Sequence, residues 1–302
     1  MMSTKTESSE RSQITQRSQS IKLVECPRDA MQGLHHFVPT ETKIQYLNLL
    51  LKVGFDTLDF GSFVSPKAIP QMRDTEEVLA NLDLAGNTKL LAIVANLKGV
   101  ENAIKHPEIT YLGFPFSISE TFQQRNTNSS ISQSLNTVEE MLHLCDKHRK
   151  TAVVYLSMGF GNPYGDEWNT EIVTHWTNEL VKNGVKIISV ADTVGVSTPE
   201  KIKTILPPLV KQFPSAEFGL HLHSTPQQRL EKIEAAFAVG CTRMDSALKG
   251  FGGCPMAADD LTGNIATEDV IAYLTEQGFP LNLDMEKWQE AMRLSGKVFS
   301  KI

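Results

Sequence analysis

The chain has 302 residues, of which 41% are hydrophobic and 21% charged, and its formal net charge is -6. An acidic balance of this kind speaks against a nucleic-acid binder, which carries a basic patch or stripe, and gives no support for docking on anionic lipid. No apolar run approaches the roughly 20 residues needed to span a bilayer, so no membrane part is expected.

Residues 1–20 are rich in Ser, Thr, Gln and charge and read as a flexible tail. They lack the apolar stretch of a secretory signal, and Glu7 and Glu10 count against a mitochondrial presequence, a class poor in acidic residues. Beyond the tail, short apolar runs alternate with longer amphipathic stretches. Strands are predicted at Ile21–Glu25, Thr57–Phe60, Lys89–Val94, Ile109–Gly113, Ala152–Ser157, Lys186–Val190, Phe218–His221 and Arg243–Ser246. Helices are predicted at Thr40–Val53, Ile69–Leu82, Leu97–Lys105, Ser134–His148, Glu167–Asn183, Thr198–Gln212, Gln227–Val239 and Thr267–Gln277. Pro207-Pro208 should kink or divide the sixth of these, and Ser117–Ser132 reads as a polar connection. An extra helix, Asp284–Phe299, ends the chain.

Regular alternation of strand and helix implies a parallel sheet, and eight units favour closure into a single (β/α)₈ TIM barrel over residues 21–302. An open doubly wound sheet is the runner-up. It would normally show a glycine-rich phosphate loop, and neither G-x-G-x-x-G nor a P-loop occurs.

Active sites of such barrels lie at the C-terminal ends of the strands. There this sequence concentrates Pro27-Arg28-Asp29, Asp59, Asn96, Asp192-Thr193, His221-Leu222-His223, Asp245-Ser246 and Gly252-Gly253-Cys254-Pro255. The histidine pair is the sharpest feature. Residues at i and i+2 of a strand face the same way, so both imidazoles can converge on one ion. Alone, an H-x-H is as readily two unrelated polar residues at a strand end. Asp29 can add a carboxylate and Asn264 an amide oxygen, and this mixed N/O set without thiolate suits Mg²⁺ or Mn²⁺ better than Zn²⁺. Arg28 beside Asp29 is either a surface ion pair or a fixed guanidinium able to stabilise an oxyanion.

Four cysteines (Cys26, Cys145, Cys241, Cys254) contain no C-x-x-C pair and suit reduced thiols, so a cytoplasmic location is expected, with the mitochondrial matrix as the other reading. Cys145 and Cys241 read as packing residues, and Cys26 as either packing or functional. Cys254, in a glycine-flanked loop, reads as a reactive thiol, although most free cysteines are apolar filler.

These motifs, in this order, resemble hydroxymethylglutaryl-CoA lyases of the DRE-TIM metallolyase superfamily. Pro27-Arg28-Asp29 with Gln32, Ser62–Lys67 with Pro70-Gln71-Met72, Asn96–Gly99, Asp192–Val196, His221-Leu222-His223, Gly252–Pro255, Gly263-Asn264 and Thr267-Glu268-Asp269 carry the resemblance from Ile21 to the end. It implies a metal-dependent retro-Claisen cleavage of 3-hydroxy-3-methylglutaryl-CoA to acetyl-CoA and acetoacetate. Asp29, His221, His223 and Asn264 would bind the metal. Arg28, Asp59, Asp192 and Cys254 would be catalytic, and Arg28, Gln32, Asn96 and Asp192 would contact the acyl-CoA. It further implies a homodimer with a place in leucine breakdown or ketone-body formation.

The chain departs from the usual pattern at several points. Asp59 stands where Glu is usual, Ser224-Thr225 where Asp-Thr often follows the second histidine, and Met256 where an aromatic is usual. The loop Ala257–Thr262 is one residue longer than in many relatives. These changes leave room for a related 3-hydroxy-3-alkylglutaryl-CoA as substrate. The Gly-Gly-Cys-Pro loop separates the chain from the Claisen-type condensing synthases of the superfamily, and retention of the four proposed ligands, Arg28 and Cys254 argues against a non-catalytic scaffold barrel.

Overall fold

The computed structural model describes residues 20–253 and 262–299. The expected tail and the residues 254–261, with Cys254, Pro255 and Met256, lie outside the described residues.

Eight parallel strands close into a barrel in chain order, β1 pairing with both β2 and β8. They are β1 (Lys22–Glu25), β2 (Thr57–Ser62), β3 (Lys89–Ile93), β4 (Ile109–Ser117), β5 (Thr151–Ser157), β6 (Ile187–Ala191), β7 (Glu217–His221) and β8 (Arg243–Ser246). Parallel strands covered on both faces read as near-continuous apolar runs, and this is why short apolar runs between amphipathic stretches located them. Most of the apolar residues lie between strands and helices, in one continuous core. A smaller cluster of Leu91, Ile93, Tyr111, Val153, Tyr155 and Ile187 fills the barrel interior. Gly113 makes room for it: a Cβ there would stand 2.5 Å from Ile93 Cδ1 and 3.0 Å from Tyr155 Cε2.

The described helices are α1 (Pro27–Gln32), α2 (Thr40–Val53), α3 (Thr75–Leu79), α4 (Leu97–Ala103), α5 (Glu120–Thr127), α6 (Ile131–Lys147), α7 (Thr170–Lys182), α8 (Pro199–Gln212), α9 (Arg229–Ala238), α10 (Thr267–Glu276) and α11 (Met285–Val298). The extra C-terminal helix α11 is present and packs on α2, with Trp288 edge-on to Phe55.

Four local expectations change. The Pro-Arg-Asp turn is a short helix, begun by Pro27 at its first position, where a missing N–H costs nothing. The polar connection contains α5, which buries only Phe122 and Gln123 and so shows no apolar periodicity. The helix expected at Ile69–Leu82 is a 3-10 turn, Pro70–Met72, followed by the short α3. Finally, α8 runs unbroken through Pro207 and Pro208. The two prolines leave the carbonyls of Lys203 and Thr204 without helical partners, and both residues are exposed, so water can satisfy them.

Candidate active site

At the C-terminal mouth of the barrel a cavity of about 200 Å³ is lined by Arg28, Asp29, Gln32, Tyr155, His221 and His223, among others. The first three come from α1. The helical turn places Arg28 and Gln32 four residues apart on one face, where Arg28 Nη1 donates to Gln32 Oε1 at 2.8 Å. Arg28 also donates to Asp29 Oδ1 at 3.2 Å and reaches across to Asp59 on β2. There Nε and Nη2 grip the carboxylate, with Nη2 to Oδ2 at 2.6 Å. Arg28 is 7% exposed and Asp59 1%, which excludes the surface ion pair and makes the guanidinium a fixed, partly desolvated charge at the cavity wall.

Burial pushes the Asp59 carboxyl up to about 6 despite the Arg28 charge and hydrogen bonds, helped by the neighbouring negative charges of Asp29 and Asp245. Burial acts on Asp29 in the same sense, but Arg28, His221, His223 and the Asn264 amide outweigh it and hold Asp29 below the usual carboxylate range.

His221 ends β7 and His223 follows two residues later, so both rings turn to the mouth. Their Nε2 atoms stand 3.1 Å apart. His221 Nδ1 faces Asp245 Oδ2 at 3.2 Å, and His223 Nδ1 faces the Thr262 carbonyl at 2.8 Å. Both partners are acceptors, so each Nδ1 carries a proton, and the two Nε2 atoms face one another, where a proton shared between the rings or a cation bound by both satisfies them. One ligand atom each from Asp29, His221 and His223 falls within 4.8 Å of the others, which suits a mixed N/O metal centre. Cys26, His221 and Asp245 form a second such trio, but it competes for the Nδ1 that Asp245 already holds.

Asn264 arrives from a distant part of the chain because residues 263–266 lie back along β7 and β8. Ser224 N–H donates to the Gly263 carbonyl at 2.8 Å and Ile265 N–H to that of Leu222 at 3.1 Å, which forms a bridge between His223 and Asn264. The Asn264 amide then donates to Asp29 Oδ2 at 2.7 Å and to the Phe251 carbonyl at 2.9 Å.

Four of the expected residues do not line the cavity: Asp59 and Asn264 reach it only through Arg28 and Asp29, while Asn96 and Asp192 are engaged elsewhere. Asn96 caps α4, its Oδ1 accepting from Gly99 N–H at 2.9 Å. Asp192 is 1% exposed, and both its oxygens are taken by Val196, Ser197 and Lys232. Cys26 is buried, and burial followed by the surrounding carboxylates raises its thiol pKa, which makes it a packing residue rather than a thiolate.

Sequence reading left Asp245, Tyr155 and Lys232 unassigned. For Asp245 a signal existed: it lies next to the end of β8, and in the barrel it takes the register position of His221. Tyr155, edge-on to the His221 ring at 5.5 Å, looked like one more apolar strand residue.

Fold and site together define a (β/α)₈ barrel with a candidate metal centre and an adjacent fixed guanidinium at its C-terminal mouth. The HMGL-like family model matches residues 21–294, and the chain belongs to that family. It is 34% identical over 285 residues to the cytoplasmic 3-hydroxy-3-methylglutaryl-CoA lyase of Rattus norvegicus, which covers 93% of this chain and 82% of the relative. It is 33% identical over 267 residues to hydroxymethylglutaryl-CoA lyase YngG of Bacillus subtilis, covering 88% and 89%. An HMG-CoA lyase of A. baumannii, solved with coenzyme A and 3-methylmalate, superposes with a TM-score of 0.87 at 30% identity, covering 93% of this chain and 92% of the other.

Proposed function

We propose that this chain cleaves 3-hydroxy-3-methylglutaryl-CoA to acetyl-CoA and acetoacetate. The observation that carries the proposal is the meeting of Asp29, His221 and His223 beside Arg28 in a cavity at the barrel mouth. Asp29, His221 and His223 would hold a divalent ion, Mg²⁺ or Mn²⁺ by donor type, with Asn264 adding its amide oxygen by a turn of the side chain. Such an ion would act as a Lewis acid on the tertiary hydroxyl of the substrate and lower its pKa.

The remaining steps belong to the chain's own groups. A basic group at the mouth takes the hydroxyl proton, and the alkoxide collapses to a ketone, which breaks the C–C bond and leaves the enolate of acetyl-CoA. Arg28 stands at the cavity wall with its orientation set by Asp59 and Gln32. Its charge is in place before negative charge reaches the thioester oxygen, so no reorganisation is needed as the enolate forms. Gln32 lines the same wall and is suited to a substrate carboxylate or carbonyl. Cys254 is the proposed acid that protonates the carbon.

The acyl-CoA partner and a homodimer are part of the same proposal, as is a cytoplasmic location. Among the described residues no helix is long and apolar enough to cross a membrane. The relatives include proteins named both cytoplasmic and mitochondrial.

The test is a coupled assay for acetyl-CoA release, on chelated protein with and without added Mg²⁺ or Mn²⁺. Metal-dependent release with equimolar acetoacetate is expected. Metal binding without cleavage would move the substrate to another 3-hydroxyacyl-CoA.

A further inference from the structure

Lys232 is fully buried, although lysine is almost never so unless it is paired. It lies on α9, in the stripe that also buries Ile233 and Ala236. Its ammonium reaches three acceptors: the His223 carbonyl at 2.8 Å, Asp192 Oδ2 at 3.2 Å and the Gly195 carbonyl at 3.3 Å. No side-chain surface of either Lys232 or Asp192 is exposed.

Asp192 is equally committed. Its Oδ1 accepts from Val196 N–H at 2.7 Å, and its Oδ2 accepts from Ser197 N–H at 3.0 Å and from the Ser197 hydroxyl at 2.5 Å. It therefore shapes the turn after β6. That turn presses on the returning loop: at Gly195, where φ is +75°, a Cβ would stand 2.7 Å from Thr262 Cγ2. Thr262 in turn supplies the carbonyl that holds His223 Nδ1. The contacts form a closed ring running from Lys232 to the His223 backbone, from the His223 ring to Thr262, from Thr262 to Gly195, and from the Asp192–Gly195 turn back to Lys232.

We propose that Asp192 and Lys232 are a buried positioning pair that holds His223 in register with Asp29 and His221, and that neither acts on the substrate. This rests on the reading of His223 as a metal ligand. A buried pair is distinguished from a catalytic carboxylate by its response to charge removal. Taking away one partner leaves an uncompensated buried charge and is strongly disruptive, whereas taking away both is tolerated. A carboxylate that works on substrate is lost in either case.

The experiment compares wild type, Lys232→Met, Asp192→Asn and the double variant. The readouts are Mn²⁺ affinity of chelated protein by paramagnetic resonance of the free ion, kcat and KM, and the pH profile of kcat. Each single variant is expected to weaken Mn²⁺ binding by about tenfold or more, the scale of losses behind metal ligands, and to lower kcat more than it raises KM. The double variant removes both buried charges but still lacks the Lys232 contact to the His223 carbonyl, so it is expected to bind Mn²⁺ more tightly and turn over faster than either single while staying below wild type, with the pH profile unchanged in shape. A double variant that binds Mn²⁺ more tightly than the singles but turns over no faster than Asp192→Asn would overturn the proposal, as would a Lys232→Met protein with wild-type affinity and kcat. If a single variant does not fold, the double variant decides alone, by the same affinity and pH profile against wild type. Failure of the functional reading itself shows elsewhere, in a wild-type protein that binds no Mn²⁺ or cleaves no substrate.

Discussion

His221 and Asp245 occupy the same register position on adjacent strands, and Nδ1 of the ring faces Oδ2 of the carboxylate at 3.2 Å. Burial disfavours a charged His221, but the hydrogen bond and charge of Asp245 outweigh it and raise the ring's pKa. The carboxylate fixes the Nδ1–H tautomer and so aims the Nε2 lone pair at His223 and Asp29. In Asp245→Asn the amide can offer N–H to Nδ1 and favour the opposite tautomer. Mn²⁺ affinity should fall by about 10–100-fold. Calorimetric titration of chelated protein measures this, and an unchanged affinity would remove Asp245 from the metal centre.

Direct loss of a ligand should act through stability as well. Mn²⁺ at a hundred times its Kd should stabilise the chelated wild type by about 2.7 kcal/mol, a rise in Tm of about 4 °C. His223→Ala should show no rise and no metal-dependent turnover. A rise equal to wild type would exclude His223 as a ligand.

Asp59 holds Arg28 only while ionised, and its carboxyl titrates near pH 6. Below that pH the protonated acid releases one side of the guanidinium, so kcat should climb as pH rises through about 6. Asp59→Asn should lose this limb and lower kcat by about 100-fold or more. Arg28 keeps Asp29 and Gln32 as partners in this variant, so its melting temperature should change far less than its turnover. A pH profile identical to wild type in the variant would assign the limb to another group.

Glu25 ends β1 with its side chain turned to the returning loop, where Oε1 accepts from Leu248 N–H at 2.8 Å and Oε2 lies 2.5 Å from Thr267 Oγ1. Thr267 donates its hydroxyl proton to Oε2, and its Oγ1 also lies 2.9 Å from Ser246 Oγ. Burial raises this carboxyl to about 8, against the Thr267 and Leu248 hydrogen bonds. Between pH 4.5 and about 8 the folded protein therefore binds more protons here than the unfolded one, and stability falls as pH rises across that window. Glu25→Gln keeps a donor and an acceptor without the charge. Its stability should match or exceed wild type at pH 8 and vary less from pH 5 to 8. A steeper pH dependence in denaturant melts would refute the protonated form.

Cys254→Ser should reduce turnover far more than Mn²⁺ affinity, because the proposed role is proton donation and not ligation. Full activity in the serine variant would reject the thiol.

The alternation of Val- and Ile-rich runs with amphipathic stretches was enough to predict an eight-fold barrel, because buried parallel strands and one-faced helices each leave a local trace. His221 and His223 were legible for the same reason, since i and i+2 on a strand share a face whatever the fold. Asp29 and Arg28 were legible as types, but not the way they reach the mouth: α1, not a strand end, turns Arg28 onto Asp59 and Gln32. Helix α5 left no periodic signal because most of it faces solvent.

What the sequence determined by itself was therefore whatever repeats at short range: the barrel, the histidine pair and the concentration of polar residues at strand ends. Only the tertiary structure decided which of those residues act together. Lys232 would be placed in solvent by composition, yet it is buried against Asp192 and the His223 carbonyl. Asn264 reaches Asp29 from 235 residues away. Pairing of this kind depends on strand register and helix docking, which satisfy buried polar groups across the whole chain and leave no mark on neighbouring residues.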